Sequence, residues 1–560
     1  MPTQIAILNL SDIAVATQLA KQHDDARFIV FDPSLVDRVV VAGLTPYELI
    51  TWDGAPDYPH FADAALHEAR QLGAAIDAVV EPELPGLRLG TWQQLSLYYQ
   101  HLTLGWYDAL FEAQAHRLQG HKLVVPVADS AQRYYFHGFP PGLLLLKHAQ
   151  ALGIELQGFT YGTQPPAPQP VPDLRGVCEQ RGDFLLTHLP TCLYDGAHFN
   201  DEMVAAGKSV INLRARNWNV DLACATAVEP MDADDAAVSL PEADLACIDR
   251  VVTALAAPLD AHFARWLNSP NFRGQQVQLQ QAAFRAQLIT HALLQTHFAA
   301  ARPSRLVLSG HDTDYHGPLL AWARAQRVPV LVLPHSKTST DLDFPAAGST
   351  VLHHASQGYT VCDADDRRPA QFVMDFPATL QFSTHVPARV QTVGLLLNAV
   401  SVQGVPEAHL ASYLQGVRRM VAWAQRLGLN LVLRARPGST ILHLLARTGL
   451  SSEQITTSTQ GTMAEFADRC DLCLMYDAPT SGAIELLNRG VATLNPKVSA
   501  LHRRHTPIAT ELVPSASVED TLVRATQLVS DPSELLRFRK RQFLGYAERC
   551  SQAVALRSLL

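Results

Sequence analysis

Short apolar runs alternate with amphipathic stretches along most of the 560-residue chain. IAILNL (5–10) is followed by DIAVATQLAKQ (12–22) and then ARFIVFD (26–32). The same strand, helix, strand rhythm returns in KLVVPVAD, GLLLLKHAQALG, IELQGF and in RLVLSG, HGPLLAWARAQR, VPVLVLPH. It returns twice more, in ARVQTVGLL, HLASYLQGVRRMVAWAQRLG, LNLVLRARPG and in CDLCLMYD, SGAIELLNRG, VATLNP. Alternation of this kind predicts parallel sheets with helices on both faces. The strands are apolar throughout, as strands covered on both faces must be.

Breaks in the rhythm divide the chain. The Pro-rich stretch 164–173 cannot continue a helix or a central strand, so it reads as a linker or surface crossing. The acidic stretch 229–243 reads as an exposed loop, and residues 243–300 carry long helical spacings. A fresh strand near 388 follows the irregular stretch 340–388. The expectation is an N-terminal α/β domain over 1–385 with a helical insertion at about 243–300. A C-terminal α/β domain over 388–520 and closing helices over 521–560 complete it. Two doubly wound, Rossmann-like domains would face a cleft at the carboxyl ends of their strands, where ligands bind. Two units also resemble each other. Asp129, Tyr135-Phe136-His137-Gly138 and Pro141 lead into one Leu-rich helix; Asp312, Asp314, Tyr315-His316-Gly317 and Pro318 lead into another.

Composition narrows the classes. Hydrophobic residues are 48% and charged residues 17%, a globular mixture. A net charge of -9 lacks the basic footprint of a dedicated nucleic-acid binder. No apolar run is long enough to span a bilayer, and the N-terminus reads as a strand and helix rather than a signal peptide, which predicts a cytoplasmic protein. Eight dispersed cysteines are no disulfide framework; Cys470 and Cys473 form a C-x-x-C without a partner pair, and their apolar setting favours core thiols.

Candidate chemistry gathers late in the chain. After Tyr476-Asp477 a turn carries Pro479-Thr480-Ser481-Gly482, and Glu485 follows in the helix. Hydroxyls and glycine at a helix start leave N–H groups for an anion, although Thr480 or Ser481 as a plain cap is the competing reading. The strand LNLVLRARPG delivers Arg434, Arg436 and Pro437 to the same sheet edge, and arginine is suited to bidentate phosphate contacts. Together these predict a nucleotide site in the C-terminal domain.

The order of these motifs resembles the C-terminal half of GT-B glycosyltransferases of bacterial surface-polysaccharide synthesis, the Kdo- and sialyltransferase-like groups. Arg436-Pro437 stands where those groups carry a His-Pro, and Pro334-His335-Ser336 resembles their P-x-x-x-x-x-H-G ending. The resemblance implies donor contacts from His335, Ser336, Arg434, Arg436, Pro437, Thr480, Ser481, Gly482 and Glu485, the last meeting the ribose. It also implies a catalytic group from the N-terminal domain. Asp312, Asp314 and His316, beside His311, crowd one strand end, and Asp129 and His137 hold the equivalent place on the earlier unit. The implied activity moves a sugar from a nucleotide donor (CMP-Kdo-like, or another CMP- or UDP-sugar) to a surface glycan or its lipid-linked precursor. Alternatives are a nucleotide-sugar epimerase, a polyol-phosphate transferase or a non-catalytic nucleotide-sugar binder. No Asp-x-Asp sits on an apolar strand, since Asp341-Leu342-Asp343 reads as a loop, so neither metal nor cofactor is expected. His353-His354 reads as an exposed loop pair. The basic run 537–543 suggests a touch on anionic lipid at the inner membrane, with a solvated helix face as the plainer reading.

Overall fold

The computed structural model describes all residues except 1, 55, 127–140, 160–168, 178–182, 191–195, 217–218, 310–314, 335–348, 357–369, 377–379, 384–388, 403–404, 407, 437–440, 478–479, 499–508 and 510. Among the described residues the chain builds three parallel, doubly wound sheets. The α/β class expected from the alternation holds, and the stretch 1–385 contains two of the three sheets.

The first sheet joins β1 (Thr3–Ile7), β2 (Arg27–Val30), β3 (Tyr47–Leu49), β4 (Lys122–Pro126) and β5 (Glu155–Phe159) in the order β3-β2-β1-β4-β5. Its period-two alternation sends Ile5 and Ile7 to one face and Ala6 and Leu8 to the other. The first face is covered by α1 (Asp12–Ala20) and α2 (Val36–Val41), the second by α3 (Tyr58–Val80), α4 (Leu89–Trp92), α5 (Gln94–Gln114) and α6 (Gly142–Ala151). Helix α3 starts where Asp57 accepts a hydrogen bond from the His60 N–H at 3.2 Å, with Pro59 in the first turn. Its buried Leu66, Ala69, Leu72, Ile76 and Val80 follow the helical period. Each large aliphatic side chain so buried contributes roughly 1.5–3 kcal/mol.

The second sheet comprises β7 (Phe184–His188), β8 (Ser209–Leu213), β9 (Ala225–Val228), β11 (Arg305–Ser309), β12 (Val330–Leu333), β13 (Thr350–His353) and β14 (Ala370–Val373), ordered β14-β13-β12-β11-β7-β8-β9. Beside it, β6 (Pro170–Pro172) pairs antiparallel with β10 (Pro230–Asp232). Helices α7 (Gly196–Ala205), α8 (Ala233–Ala237), α9 (Glu242–Ala254), α10 (Ala256–Phe263), α11 (Pro270–His297) and α12 (His316–Ala325) complete the unit, and one continuous core joins α9–α12 to α3–α6. Three expectations are corrected here. The Pro-rich stretch contributes a short ladder strand, because a two-stranded edge tolerates missing N–H donors. The acidic stretch 229–243 is no exposed loop: Ala233, Ala236, Ala237 and Leu240 are buried, with the acidic side chains facing outward between them. The irregular stretch 340–388 holds β13 and β14, each only four residues long and so without a visible period.

The third sheet joins β15 (Thr392–Leu397), β18 (Asn430–Ala435), β19 (Leu472–Tyr476), β20 (Ala492–Lys497) and β21 (Ser515–Ser517) in the order β18-β15-β19-β20-β21. A small hairpin, β16 (Ser401–Val402) and β17 (Val405–Pro406), follows β15. Helices α13 (Leu410–Arg426), α14 (Leu442–Leu445), α15 (Ser452–Thr457), α16 (Met463–Asp468), α17 (Gly482–Asn488), α18 (Val518–Ser530) and α19 (Pro532–Ser551) surround it. After α19 the chain returns to the second sheet, where Val554 bridges Met374 and Leu556 enters that sheet's core. The first and third sheets meet across α2: both Asp37 carboxylate oxygens accept at 2.8 Å, from the N–H groups of Leu442 and His443 at the start of α14.

Candidate functional site

The strand orders fix where ligands are expected. In sheet-local numbering the first sheet runs 3-2-1-4-5 from one edge, the second 3-2-1-4-5-6-7, and the third 2-1-3-4-5. Order reverses between β1 and β4, between β7 and β11, and between β15 and β19, and a crevice lies beyond the carboxyl ends at each reversal. The two units that resemble each other in sequence occupy equivalent places, since β4 and β11 are both the fourth strand of their sheet. Both lead into ten-residue helices, α6 and α12.

At the first reversal the first residue of α1, Asp12, is fully buried. Its Oδ2 accepts from the Leu8 N–H at 2.7 Å and the Asn9 N–H at 2.8 Å, while Oδ1 has no partner. Burial raises its pKa from the ordinary 3.8 to about 7, against the pull of the two N–H donors. In the sequence Asp12 is only the opening of a helix, and the one signal for it is an Asp that closes the first strand-to-helix turn. Asp129 and His137, the expected residues of this crevice, lie outside the described residues.

At the second reversal His188 ends β7, in register with Leu308 of β11. Its Nδ1 lies 2.7 Å from the Leu213 carbonyl oxygen, which places the proton on Nδ1, and its ring stands 5.0 Å from that of Tyr315. Ser309, the last residue of β11, is fully buried with an unpartnered hydroxyl. His316 opens α12 and is 2% exposed. Of the expected cluster the structure thus brings His316 to the crevice, with His188 and Tyr315 beside it; His311, Asp312 and Asp314 lie outside the described residues. His188 was missed because TH at the end of FLLTH reads as an ordinary strand end.

The third reversal carries the expected donor residues. Leu397 of β15 pairs with Ala435 of β18 on one side and Tyr476 of β19 on the other, so three strands end level. The outer two stand about 10 Å apart, twice the strand spacing. Arg434 is committed: its Nη1 donates to the Gln460 carbonyl oxygen at 2.7 Å. Arg436 lies just past the strand, exposed, and among the described residues takes part in no ion pair or hydrogen bond. Asp477 adopts a left-handed conformation (φ 64), where its Oδ1 accepts from the Val498 N–H at 3.1 Å. That bend sends the chain toward α17. Thr480 is half-buried and Ser481 exposed, and Ser481 makes no capping hydrogen bond, so the plain-cap reading of that hydroxyl is not met. Gly482 is buried, and a Cβ there would stand 2.8 Å from Met463 Cε. Glu485 pairs with Arg489 at 2.7 Å, one turn on, and Arg489 also holds Asp468 at 2.8 Å. Pro437, His335 and Ser336 lie outside the described residues.

Other expectations resolve simply. Cys473 is fully buried, Cys470 donates to the Phe466 carbonyl oxygen at 3.0 Å, and burial pushes the Cys470 thiol up to about 12. These are core thiols. His353 and His354 are not an exposed loop pair: His353 closes β13 and His354 follows it, at 4% and 1% exposure, bonded to Gln371 and Ser356 at 2.8 and 2.9 Å. No group of three metal-ligating side chains occurs among the described residues. In the basic run, Arg537 pairs with Glu534 at 2.7 Å, and Arg539 is buried, donating to the Gly490 carbonyl oxygen at 2.7 Å. No helix among the described residues is long and apolar enough to cross a membrane.

No family model matches the sequence, and no curated protein matches it. Among solved structures the chain is similar to the glycosyltransferase SnogD from Streptomyces nogalater, at 12% identity and a TM-score of 0.34 over 66% of this chain and 97% of that one. It is similar to the glycosyltransferase SsfS6 of Streptomyces sp. SF2575, at 12% identity and 0.31 over 66% and 96%. It is also similar to the lipopolysaccharide outer core galactosyltransferase WaaB, at 8% identity and 0.32 over 66% and 98%.

Proposed function

We propose that the protein transfers a glycosyl group from a nucleotide-sugar donor, in the manner of GT-B enzymes, with the donor phosphate held at the carboxyl edge of the third sheet. The observation that carries this is the placement, beyond strands that end level, of Arg436, exposed and without an ion pair or hydrogen bond among the described residues, and of Ser481, whose hydroxyl makes no capping hydrogen bond. A guanidinium and the first N–H groups of a helix together favour a phosphate. Thr480, Ser481 and the Gly482 backbone complete the donor contacts. Glu485 reaches a ribose only by leaving Arg489.

In the transfer, an acceptor hydroxyl oxygen bonds to the anomeric carbon while the bond from that carbon to the phosphate oxygen breaks. The leaving phosphate keeps the electron pair, and Arg436 stabilises its charge. The hydroxyl proton passes to a base of the first or second crevice, for which Asp129, His137, Asp312, Asp314 and His316 are the candidates. The acceptor in this reading is a bacterial surface glycan or its precursor.

Incubation with CMP-, UDP- and GDP-sugars, with and without a mixed glycan acceptor, tests the reading. Nucleotide release that depends on acceptor supports transfer. Isomerised donor without acceptor points to an epimerase, and unchanged donor under every condition overturns the proposal.

A further inference from the structure

Three strands of the third sheet end level, and side-chain parity sets what stands just beyond them. Side chains alternate along a strand, and residues in register on neighbouring parallel strands share a face. Leu395 and Leu397 of β15 belong to one core with Leu433 and Tyr476, whereas Leu396 belongs to the other with Val432 and Met475. One step further, Asn398 and Arg436 continue the second face, on adjacent chains about 5 Å apart at the backbone. Helix α17 starts on that same face: a Cβ at Gly482 would stand 3.2 Å from Leu396 Cδ2, and Ser481 precedes it. The middle strand tip therefore places Asn398 between the chains that bear Arg436 and Ser481.

The backbone of Asn398 is held in place. Its carbonyl oxygen accepts from the Tyr413 hydroxyl at 2.8 Å, and the Tyr413 carbonyl oxygen in turn accepts from the Tyr476 hydroxyl at 2.8 Å. Both tyrosines are fully buried, so the tip of β15 is tied through α13 to the end of β19. The side chain is not so tied. The Asn398 carboxamide is half-buried and makes no hydrogen bond among the described residues. Other polar groups at this edge are engaged, Arg434 with the Gln460 carbonyl oxygen and Asp477 with the Val498 N–H.

A carboxamide suits this place chemically. It brings two N–H donors and no charge, so it adds to the hold on an anion without neutralising Arg436. A carboxylate at 398 would instead pair with that guanidinium, as Glu485 pairs with Arg489. We infer that Asn398 is a donor-binding residue: its side-chain N–H₂ donates to the phosphate that Arg436 holds, from the middle strand tip, and Tyr413 positions it through the backbone. The inference rests on the nucleotide-sugar reading and deepens it, because it assigns the grip on the leaving phosphate to a neutral donor beside the cation.

Calorimetry on the full chain tests it with CMP, CDP, UDP, GDP and ADP and with inorganic pyrophosphate, on the parent, Asn398→Ala, Asn398→Asp and Arg436→Ala. Asn398→Ala is expected to weaken pyrophosphate and the nucleotide that binds the parent alike, by about tenfold, the scale of one hydrogen bond to a charged group. Asn398→Asp is expected to weaken both by at least about tenfold more, since it sets like charge beside the phosphate and pairs with Arg436. Both variants are expected to keep the parent's melting temperature, because the residue 398 carbonyl keeps its bond to Tyr413. Unchanged binding in Asn398→Ala, or Asn398→Asp no weaker than Asn398→Ala, overturns the inference. So does an affinity loss matched by a fall in melting temperature in Asn398→Ala, which marks a structural role. A loss for the nucleotide that spares pyrophosphate, or a parent that binds nucleotide and no pyrophosphate, overturns it too, since Asn398 would then meet the nucleoside. Nucleotide binding that weakens in Arg436→Ala and not in Asn398→Ala overturns the inference alone and leaves the transfer reading standing. A parent that binds neither nucleotide nor pyrophosphate overturns both.

Discussion

Asp12 offers a prediction whose size follows from its surroundings. The carboxyl group is fully buried at the first strand-order reversal, with Oδ2 held by two N–H groups and Oδ1 unpartnered. Its pKa rises from the ordinary 3.8 to about 7 in the folded chain. A carboxyl group whose folded pKa is raised binds its proton more tightly when folded. Its contribution to stability is therefore fully present below pH 3.8 and is lost as pH climbs through 7. At about 1.4 kcal/mol per pH unit, the whole interval amounts to about 4 kcal/mol, and the part between pH 5 and pH 8 to about 3 kcal/mol. Asp12→Asn keeps an oxygen for Leu8 and Asn9 and removes the titration. It also buries an amide N–H₂ where Oδ1 stood, which costs roughly 1–3 kcal/mol at any pH. Comparing variant with parent at each pH and then subtracting across pH cancels that fixed cost. The readout is the opening free energy of residues 3–20 by hydrogen exchange, because a chain of three sheets need not unfold as one unit. Asp12→Asn should gain about 3 kcal/mol on the parent between pH 5 and pH 8. A gain below about 0.5 kcal/mol would show that Asp12 titrates near its ordinary value and is not the buried acid described.

Three further outcomes are expected. Burial lowers His353 from 6.5 to about 4, so its stabilising contribution is present above pH 6.5 and lost as pH falls through 4; His353→Gln should remove about 3 kcal/mol of that acid sensitivity, read by the same exchange experiment on residues 350–374. Gly142→Ala drives a Cβ into the Pro126 carbonyl oxygen, a backbone atom, and should cost more than about 3 kcal/mol, whereas Gly482→Ala meets the side-chain ends of Met463 and Leu396 and should cost about 1 kcal/mol; melting temperatures of the two variants check the ranking. Asp37→Ala removes the acceptor for the Leu442 and His443 N–H groups and should loosen the seam of the first and third sheets by about 1 kcal/mol, seen as faster exchange at 442–445.

Much of this fold is readable in the sequence, for a physical reason. Strands buried on both faces are largely apolar, so β4, β11, β15 and β19 stand out as KLVVP, RLVLS, TVGLLL and LCLMY, and the second half of β1 opens the run IAILNL. The division into three sheets was hidden because α3, α5 and α11 bury their apolar stripes against one shared core, which leaves no polar boundary between the first two sheets. β13 and β14 escaped because four residues show no period, and with them went the burial of His353 and His354. At the third sheet edge, the positions of Arg436, Ser481 and Gly482 follow from the strand-turn-helix pattern. The commitment of Glu485 to Arg489 was also legible, since an acid four residues before an arginine on one helix is a standing ion pair. Arg434's bond to Gln460 was not legible, for it joins segments 26 residues apart through a loop carbonyl. The two buried groups at the crevices, Asp12 and His188, differ from ordinary strand-end residues only in three-dimensional burial, which spacing along the chain does not encode.

Nucleotide binding at the third sheet edge is the most direct test of the account. The dissociation constants of CMP, CDP, UDP, GDP and ADP should be measured by calorimetry on the parent and on Arg436→Ala. The account predicts that at least one nucleotide binds the parent, and that Arg436→Ala weakens it by about tenfold or more, the scale of one lost charge-assisted phosphate contact, with an unchanged melting temperature because Arg436 holds no ion pair or hydrogen bond among the described residues. Binding that is indifferent to Arg436, or no binding of any nucleotide, would contradict it.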